Sequence, residues 1–150
     1  MVEELDELYK EVILDHYRSP RNARPLADPD VTEEGTNPLC GDEVVLQLKL
    51  RGGRIEDVSF QGRGCSISRA SGSMMSEAIK GKTLEEALAL SQRLKEMMHG
   101  AGSETSDLGD LEALQGVRKF PVRVRCALLA WITLEQGLAA RAPVKQAPQS

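Results

Sequence analysis

The chemistry-bearing residues of this 150-residue sequence are its three cysteines, Cys40, Cys65 and Cys126, and the aspartate that follows the first of them across one glycine, Asp42. A thiolate is both a nucleophile and a soft metal ligand, and a carboxylate adds a hard oxygen. Three thiolates with one carboxylate supply the four donors of a tetrahedral Zn²⁺ or of an iron site. Gly41 frees the backbone so that Cys40 and Asp42 can face one ion. No two cysteines form the close pair of a structural zinc site. An oxygen donor among sulfurs is the ligand most readily displaced, so the set points to a site that exchanges something. Four anionic donors carry more charge than one divalent cation neutralises, and Arg63, Arg123 and Arg125 lie near enough in sequence to offset the excess. Cys65 precedes a predicted helix, whose N-terminus favours a thiolate.

Each of these residues also has an ordinary structural reading. Cys126, among apolar neighbours on a helix, can be a small buried apolar side chain. Asp42 can brace a turn, Cys65 can begin a helix, and Arg123 and Arg125 can belong to a solvated face. His16 and His99 have no metal-ligand partner at i+4 and read as structural or surface residues.

The elements that must position these residues are legible in the apolar spacing. Leu5, Leu8, Tyr9, Val12, Ile13 and Tyr17 recur at three- and four-residue steps, an amphipathic helix stopped near Pro20. "RNARPLADPDVTEEGTNPL" reads as loop, with room for a short edge strand at Val31 to Glu34. Val44, Leu46, Leu48 and Leu50 alternate with Glu43, Gln47 and Lys49, a half-buried strand. "RGGR" turns the chain into a second strand, "IEDVSFQG", in which Ile55 is out of phase with Val58 and Phe60 and implies a bulge. A helix begins near Cys65 or Ser66, with Gly81 as its C-terminal cap. Thr83 with Glu86 signals a capping box on the next helix, which runs to about His99. "HGAGSETSDLGD" reads as a polar connection and "LEALQGV" as a short helix at best. Pro121 opens a long last helix whose stripe is Val122, Val124, Leu128, Leu129, Trp131, Ile132 and Leu138. Residues 142–150 read as a frayed tail.

Strands early and helices late, without βαβ alternation, predict one α+β domain over 1–150: a small antiparallel sheet of about three strands with helices on one face. Antiparallel pairing then puts Cys40, before one strand, beside Cys65, after the next. A hydrophobic fraction of 41% and a net charge of -4 fit a globular protein and argue against nucleic acid as the main partner. The acidic start, "MVEELDELYK", lacks the pattern of a signal peptide, and no apolar run is long enough for a membrane span. A cytoplasmic location with reduced thiols is the expectation.

Over nearly its whole length the sequence resembles the IscU/NifU-type iron-sulfur cluster assembly proteins. The resemblance is carried by "LYKEVILDHYRSPRN", by "NPLCGD" at Asn37 to Asp42, by "GRGCSISRASGSMM" at Gly62 to Met75 and by "FPVRVRCALLAW" at Phe120 to Trp131. It implies the SufE/NifU-like (IscU-like) α+β fold, with three Cys and one Asp gathered at one end and matched by Cys40, Asp42, Cys65 and Cys126. The scaffold branch of that family has a His immediately before its last Cys, where this chain has Arg125. This chain also has an extended segment around His99 to Val117. Both features resemble the SufU branch, whose members bind zinc through the three Cys and the Asp.

The resemblance implies sulfur transfer: a cysteine desulfurase dependent on pyridoxal phosphate hands persulfide sulfur to Cys40, and Arg125 helps balance the anionic site. Other cluster-assembly proteins are further partners by the same resemblance. The rival within the family is a scaffold that binds iron and assembles a transient [2Fe-2S] cluster on the same four residues. A zinc hydrolase or deaminase would need a general base in an HxE or HExxH pattern, and the sequence has neither.

Overall fold

The computed structural model describes residues 7–38, 41–100 and 106–146. Cys40 lies outside the described residues. The elements are α1 (Glu7–Arg18), β1 (Val31–Asn37), β2 (Asp42–Arg51), β3 (Arg54–Arg63), α2 (Ser66–Ile79), α3 (Leu84–Met98), a 3₁₀ segment (Ser106–Lys119) and α4 (Pro121–Gln146). The backbone is thus helical into the tail at 142–150 that reads as frayed in sequence.

The three strands form one antiparallel sheet in the order β1-β2-β3. Its architecture is the α+β arrangement expected, with the helices over the apolar face. Val44, Leu46 and Leu48 of β2 and Val58 and Phe60 of β3 are buried on that face. The edge strand expected at Val31 to Glu34 continues to Asn37. The register slips between Lys49 and Leu50, so that Lys49 faces Asp57 while Leu50 faces Ile55. The residue left over is the bulge that turns Ile55, out of phase in sequence, into the core.

Small residues let α2 sit at the centre of the molecule. Gly72 packs on the Phe60 ring, which a Cβ at that position would penetrate. Ser71 Oγ accepts the N–H of the fully buried Trp131 at 3.1 Å and donates to the Ala127 carbonyl at 2.6 Å, tying α2 to α4. Gly35 does the same for α4 and β1: a Cβ there would collide with Thr133 Oγ1. These close approaches fix where Cys126 falls relative to the sheet.

Three expectations are corrected. Gly81 has a positive φ of 88°, but its N–H donates to the Ile55 carbonyl at 2.7 Å instead of closing α2, so it covers the open edge of β3. The 3₁₀ segment begins at Ser106, inside the stretch read as a polar connection, and its Leu108 is buried, while "LEALQGV" is helical as read, with Leu111, Leu114 and Val117 buried. Leu111, Leu114 and Val117 are spaced at the three-residue period of a 3₁₀ helix and share one inward face, whereas Gly109, with φ of 61° and ψ of -133°, kinks the chain after Leu108. In α4, Val122 and Ile132 are exposed, not part of the buried stripe. They share a helical face with the exposed Arg125 and Gln136, turned away from β1 and α2.

The capping box is present: Thr83 Oγ1 accepts the Glu86 N–H at 3.0 Å and Glu86 Oε1 accepts the Thr83 N–H at 2.9 Å. The hydrogen bond from the Thr83 backbone holds the Glu86 carboxyl below its ordinary value of 4.5. Its stabilisation is therefore present above that value and lost as the pH falls through the lower, folded one. Among the described residues no helix is long and apolar enough to cross a membrane.

Candidate metal centre

The sheet register builds the site. Asn37 ends β1 and Asp42 begins β2, and the two are cross-strand partners, so the four residues between them are the hairpin connection that carries Cys40 in the sequence. Glu43 pairs with Arg63 at the end of β3, and the chain then passes Gly64 to Cys65 at the start of α2. The second turn of α4 delivers Cys126 to the same edge, with its side chain fully buried. One carboxylate oxygen of Asp42 and the sulfurs of Cys65 and Cys126 all lie within 4.8 Å of one another. Arg125, by contrast, is exposed and, among the described residues, has no hydrogen bond or ion pair with these three donors.

Asp42 is 1% exposed, and its carboxylate is held by donors. Oδ1 accepts the Cys65 N–H at 2.8 Å, and Oδ2 lies 4.0 Å from Cys65 Sγ. Cys65 is the N-cap of α2, its sulfur accepting the Ser68 N–H at 3.5 Å. The positive end of the helix therefore meets that sulfur. Gly64, with φ of 125°, lets the backbone pass over the carboxylate, since a Cβ there would collide with Asp42 Oδ1 and Cα. Gly64→Ala is accordingly expected to displace Asp42 and lower metal affinity by about 10-fold or more, within the range for perturbing a group that orients a ligand. A competition titration with a chelating dye reads this, and an unchanged affinity would show that the close approach has no bearing on metal binding.

Of the three arginines expected to balance the charge, Arg123 reaches the site: its Nη1 is 3.9 Å from Cys126 Sγ. Arg63 pairs with Glu43 at 2.8 Å. Sequence reasoning missed Asn37, a buried side chain whose Nδ2 lies 3.5 Å from Asp42 Oδ2 and 3.7 Å from Cys126 Sγ. The signal was its place at the mouth of the "NPLCGD" hairpin, directly across from Asp42.

The donor set fits zinc. Two sulfurs and a carboxylate oxygen converge from three elements on a backbone that leaves no room for a Cβ at Gly64, and Cys40 would complete a tetrahedral set. Burying a carboxylate beside two thiols without a cation is costly, and an ion among them would remove that cost.

A second grouping of metal-type donors, His16, Glu77 and Asp110, has a different character. His16 is 1% exposed, with Nδ1 2.8 Å from Ser73 Oγ and Nε2 2.9 Å from Asp110 Oδ2. The Ser-His-Asp order suggests a nucleophile, but Ser73 is itself buried and accepts the Arg21 N–H at 2.9 Å, leaving a substrate no approach. Arg21 lies 3.9 Å from Glu77 and also pairs with Asp15 at 2.6 Å, holding the Asp15 carboxyl below its usual range. Both ring nitrogens are thus engaged, and the cluster fastens α1, α2 and the 3₁₀ segment together. This agrees with the structural role expected of His16, although its partners, on other elements, were not visible in sequence.

Comparison with known proteins gives a consistent picture. Residues 8–139 match the family described as "NifU-like N terminal domain". The chain is 54% identical over 136 residues to "Zinc-dependent sulfurtransferase SufU" of Bacillus subtilis (strain 168), an alignment covering 90% of this chain and 92% of that protein. It is 42% identical over 135 residues to "Iron-sulfur cluster assembly scaffold protein IscU" of Streptococcus pyogenes serotype M1, covering 89% and 84%. A crystal structure of a candidate iron-sulfur cluster assembly scaffold protein for the SUF system, from Fervidobacterium islandicum AW-1, superposes with a TM-score of 0.81 at 40% identity, covering 85% of this chain and 94% of that one.

Proposed function

The chain belongs to the NifU-like N-terminal domain family, and on that premise we propose that it is a zinc-binding sulfur acceptor in iron-sulfur cluster biogenesis. The observation that carries the proposal is the convergence of Asp42, Cys65 and Cys126 from three elements onto one sheet edge, two residues from Cys40 in the sequence. The relative named as a zinc-dependent sulfurtransferase supports the same reading.

Cys40, Asp42, Cys65 and Cys126 would hold the ion. When bound, zinc keeps the thiols deprotonated and apart, so that they neither protonate nor join as a disulfide. The donor of sulfur is a cysteine desulfurase, dependent on pyridoxal phosphate, that carries a persulfide on its own cysteine. The Cys40 thiolate attacks the terminal sulfur of that persulfide. The desulfurase's S–S bond breaks as a new one forms to Cys40, and the desulfurase leaves as a thiolate, so one persulfide is lost as one is made. For this attack Cys40 would give up its bond to the ion, leaving Asp42, Cys65 and Cys126 to hold it. Arg123 near Cys126, and Arg125 on the exposed face beside it, offset negative charge as the desulfurase approaches. Reduced thiols are needed throughout, which suits the cytoplasm.

A second reading, favoured by the 42% identity to a scaffold protein, is assembly of a [2Fe-2S] cluster on the same residues. Metal analysis of protein purified without added iron separates the two. Sulfur acceptance predicts about one zinc per chain, in line with four donors and one tetrahedral ion. A brown chromophore that passes intact to an apo-protein would instead establish the scaffold.

A further inference from the structure

Asp42 and Cys126 present a difficulty that their proximity alone does not resolve. Both are buried, both are anionic when they bind a metal, and neither offers the other a hydrogen bond in that state. Two negative charges this close repel strongly where water is excluded. Something must hold them at ligand spacing both before an ion arrives and when a bond to it is given up.

The residue between them is Asn37. It is 7% exposed, and its amide nitrogen lies 3.5 Å from Asp42 Oδ2 and 3.7 Å from Cys126 Sγ. A side-chain amide has two N–H donors, so one nitrogen can serve both acceptors at once. Its backbone is fixed independently, as the last residue of β1 paired to Asp42 across the ladder. The close packing of α4 on β1 at Gly35 and Thr133 sets the height at which Cys126 meets it. The other oxygen of the carboxylate is occupied by the Cys65 N–H. Oδ2 is therefore the oxygen left to face an ion, and it is the oxygen Asn37 orients. A neutral donor is what the position calls for: a carboxylate of the same shape would add a third repelling charge, and an aliphatic side chain would remove the donor that the two anions share, leaving Asp42 with the Cys65 N–H and Cys126 with the Arg123 guanidinium nearby.

We propose that Asn37 is a positioning residue of the metal centre, donating one N–H to Asp42 Oδ2 and the other to the Cys126 sulfur so that carboxylate and thiolate stay at ligand spacing whether or not the ion holds them. The proposal rests on the reading of Asp42, Cys65 and Cys126 as metal ligands. It goes beyond that reading in assigning the buried carboxylate and thiolate a shared neutral partner that keeps them in place. Partners of this kind, one hydrogen bond removed from the metal, typically change affinity by about 10- to 100-fold when deleted.

The test uses the full chain with Asn37→Leu, which keeps shape and removes both donors, and Asn37→Ala, which stays informative should leucine prevent folding. Zinc affinity is measured by competition with a chelating dye. The cobalt-substituted proteins are compared by the thiolate-to-cobalt charge-transfer band, and the metal-free proteins by melting temperature. The expected result is a 10- to 100-fold loss of zinc affinity. The charge-transfer band should move to lower energy, because a sulfur without its hydrogen bond gives up electrons more easily, while the metal-free melting temperature changes little. An unchanged band and affinity would overturn the role of Asn37 while leaving the metal centre intact. So would an affinity loss that merely follows a fall in metal-free melting temperature with no shift of the band. A parent protein that takes up cobalt with no thiolate band would overturn both the role and the reading beneath it.

Discussion

Replacing Cys126 by serine is expected to weaken zinc binding by about 10²–10³-fold. Four-ligand thiolate-rich zinc sites are worth about 10–16 kcal/mol, so a single thiolate carries roughly 3–4 kcal/mol, and about 1.4 kcal/mol corresponds to each factor of ten. A serine hydroxyl stays neutral beside zinc far more readily than a thiol, so the substitution removes charge as well as a soft donor. Cys126 is fully buried, so bulk water has no direct access to its place. A parallel titration of Arg125→Ala, on the exposed face of the same helix, should change affinity by less than a few-fold, as is usual for a solvated charge. Equal affinities for the Cys126→Ser protein and the parent would place the ion elsewhere.

The second large effect concerns sulfur. A Cys40→Ala protein is expected to accept labelled sulfur from a persulfide-bearing desulfurase only at the rate of uncatalysed exchange, because the substitution deletes the atom that forms the new S–S bond. Asp42, Cys65 and Cys126 remain to hold an ion, so metal binding should be weakened but not lost. That separation matters: a variant that bound no metal could fail for structural reasons alone. Transfer at the parental rate onto Cys40→Ala would remove Cys40 from the chemistry and direct attention to Cys65, whose sulfur is partly exposed at the N-terminus of α2.

Much of this was legible in the sequence, for identifiable reasons. Alternation in Val44, Leu46 and Leu48 announced β2, and the phase error at Ile55 announced the bulge, because side-chain direction has a fixed period of two. Thr83 and Glu86 gave the start of α3 through a purely local pair of hydrogen bonds. Antiparallel connectivity put Cys40 beside Cys65 in the reading, while the inclusion of Cys126 with Asp42 and Cys65 came from the family resemblance, and the structure brings those three together.

What stayed hidden depended on period or on contacts far apart in sequence. Leu108 stands alone among Ser, Asp and Gly, so no period announced its burial. Val122 and Ile132 looked like core because they are apolar, but burial is decided by where α4 meets β1 and α2. Asn37 and Arg123 touch the site through geometry across elements or along one helical turn, and no spacing rule distinguishes Arg123 from Arg125 before the helix is placed. His16 finds Ser73 and Asp110 57 and 94 residues away, so its clasp could not be read from α1 alone.

The central claim is that scattered sulfur and oxygen donors meet on one divalent ion, and zinc K-edge X-ray absorption on the protein as purified addresses it directly. Three sulfurs at about 2.3 Å and one oxygen at about 2.0–2.2 Å are predicted, the distances usual for thiolate and carboxylate ligands of tetrahedral zinc. A shell made only of nitrogen and oxygen, or one with fewer than two sulfurs, would contradict the account.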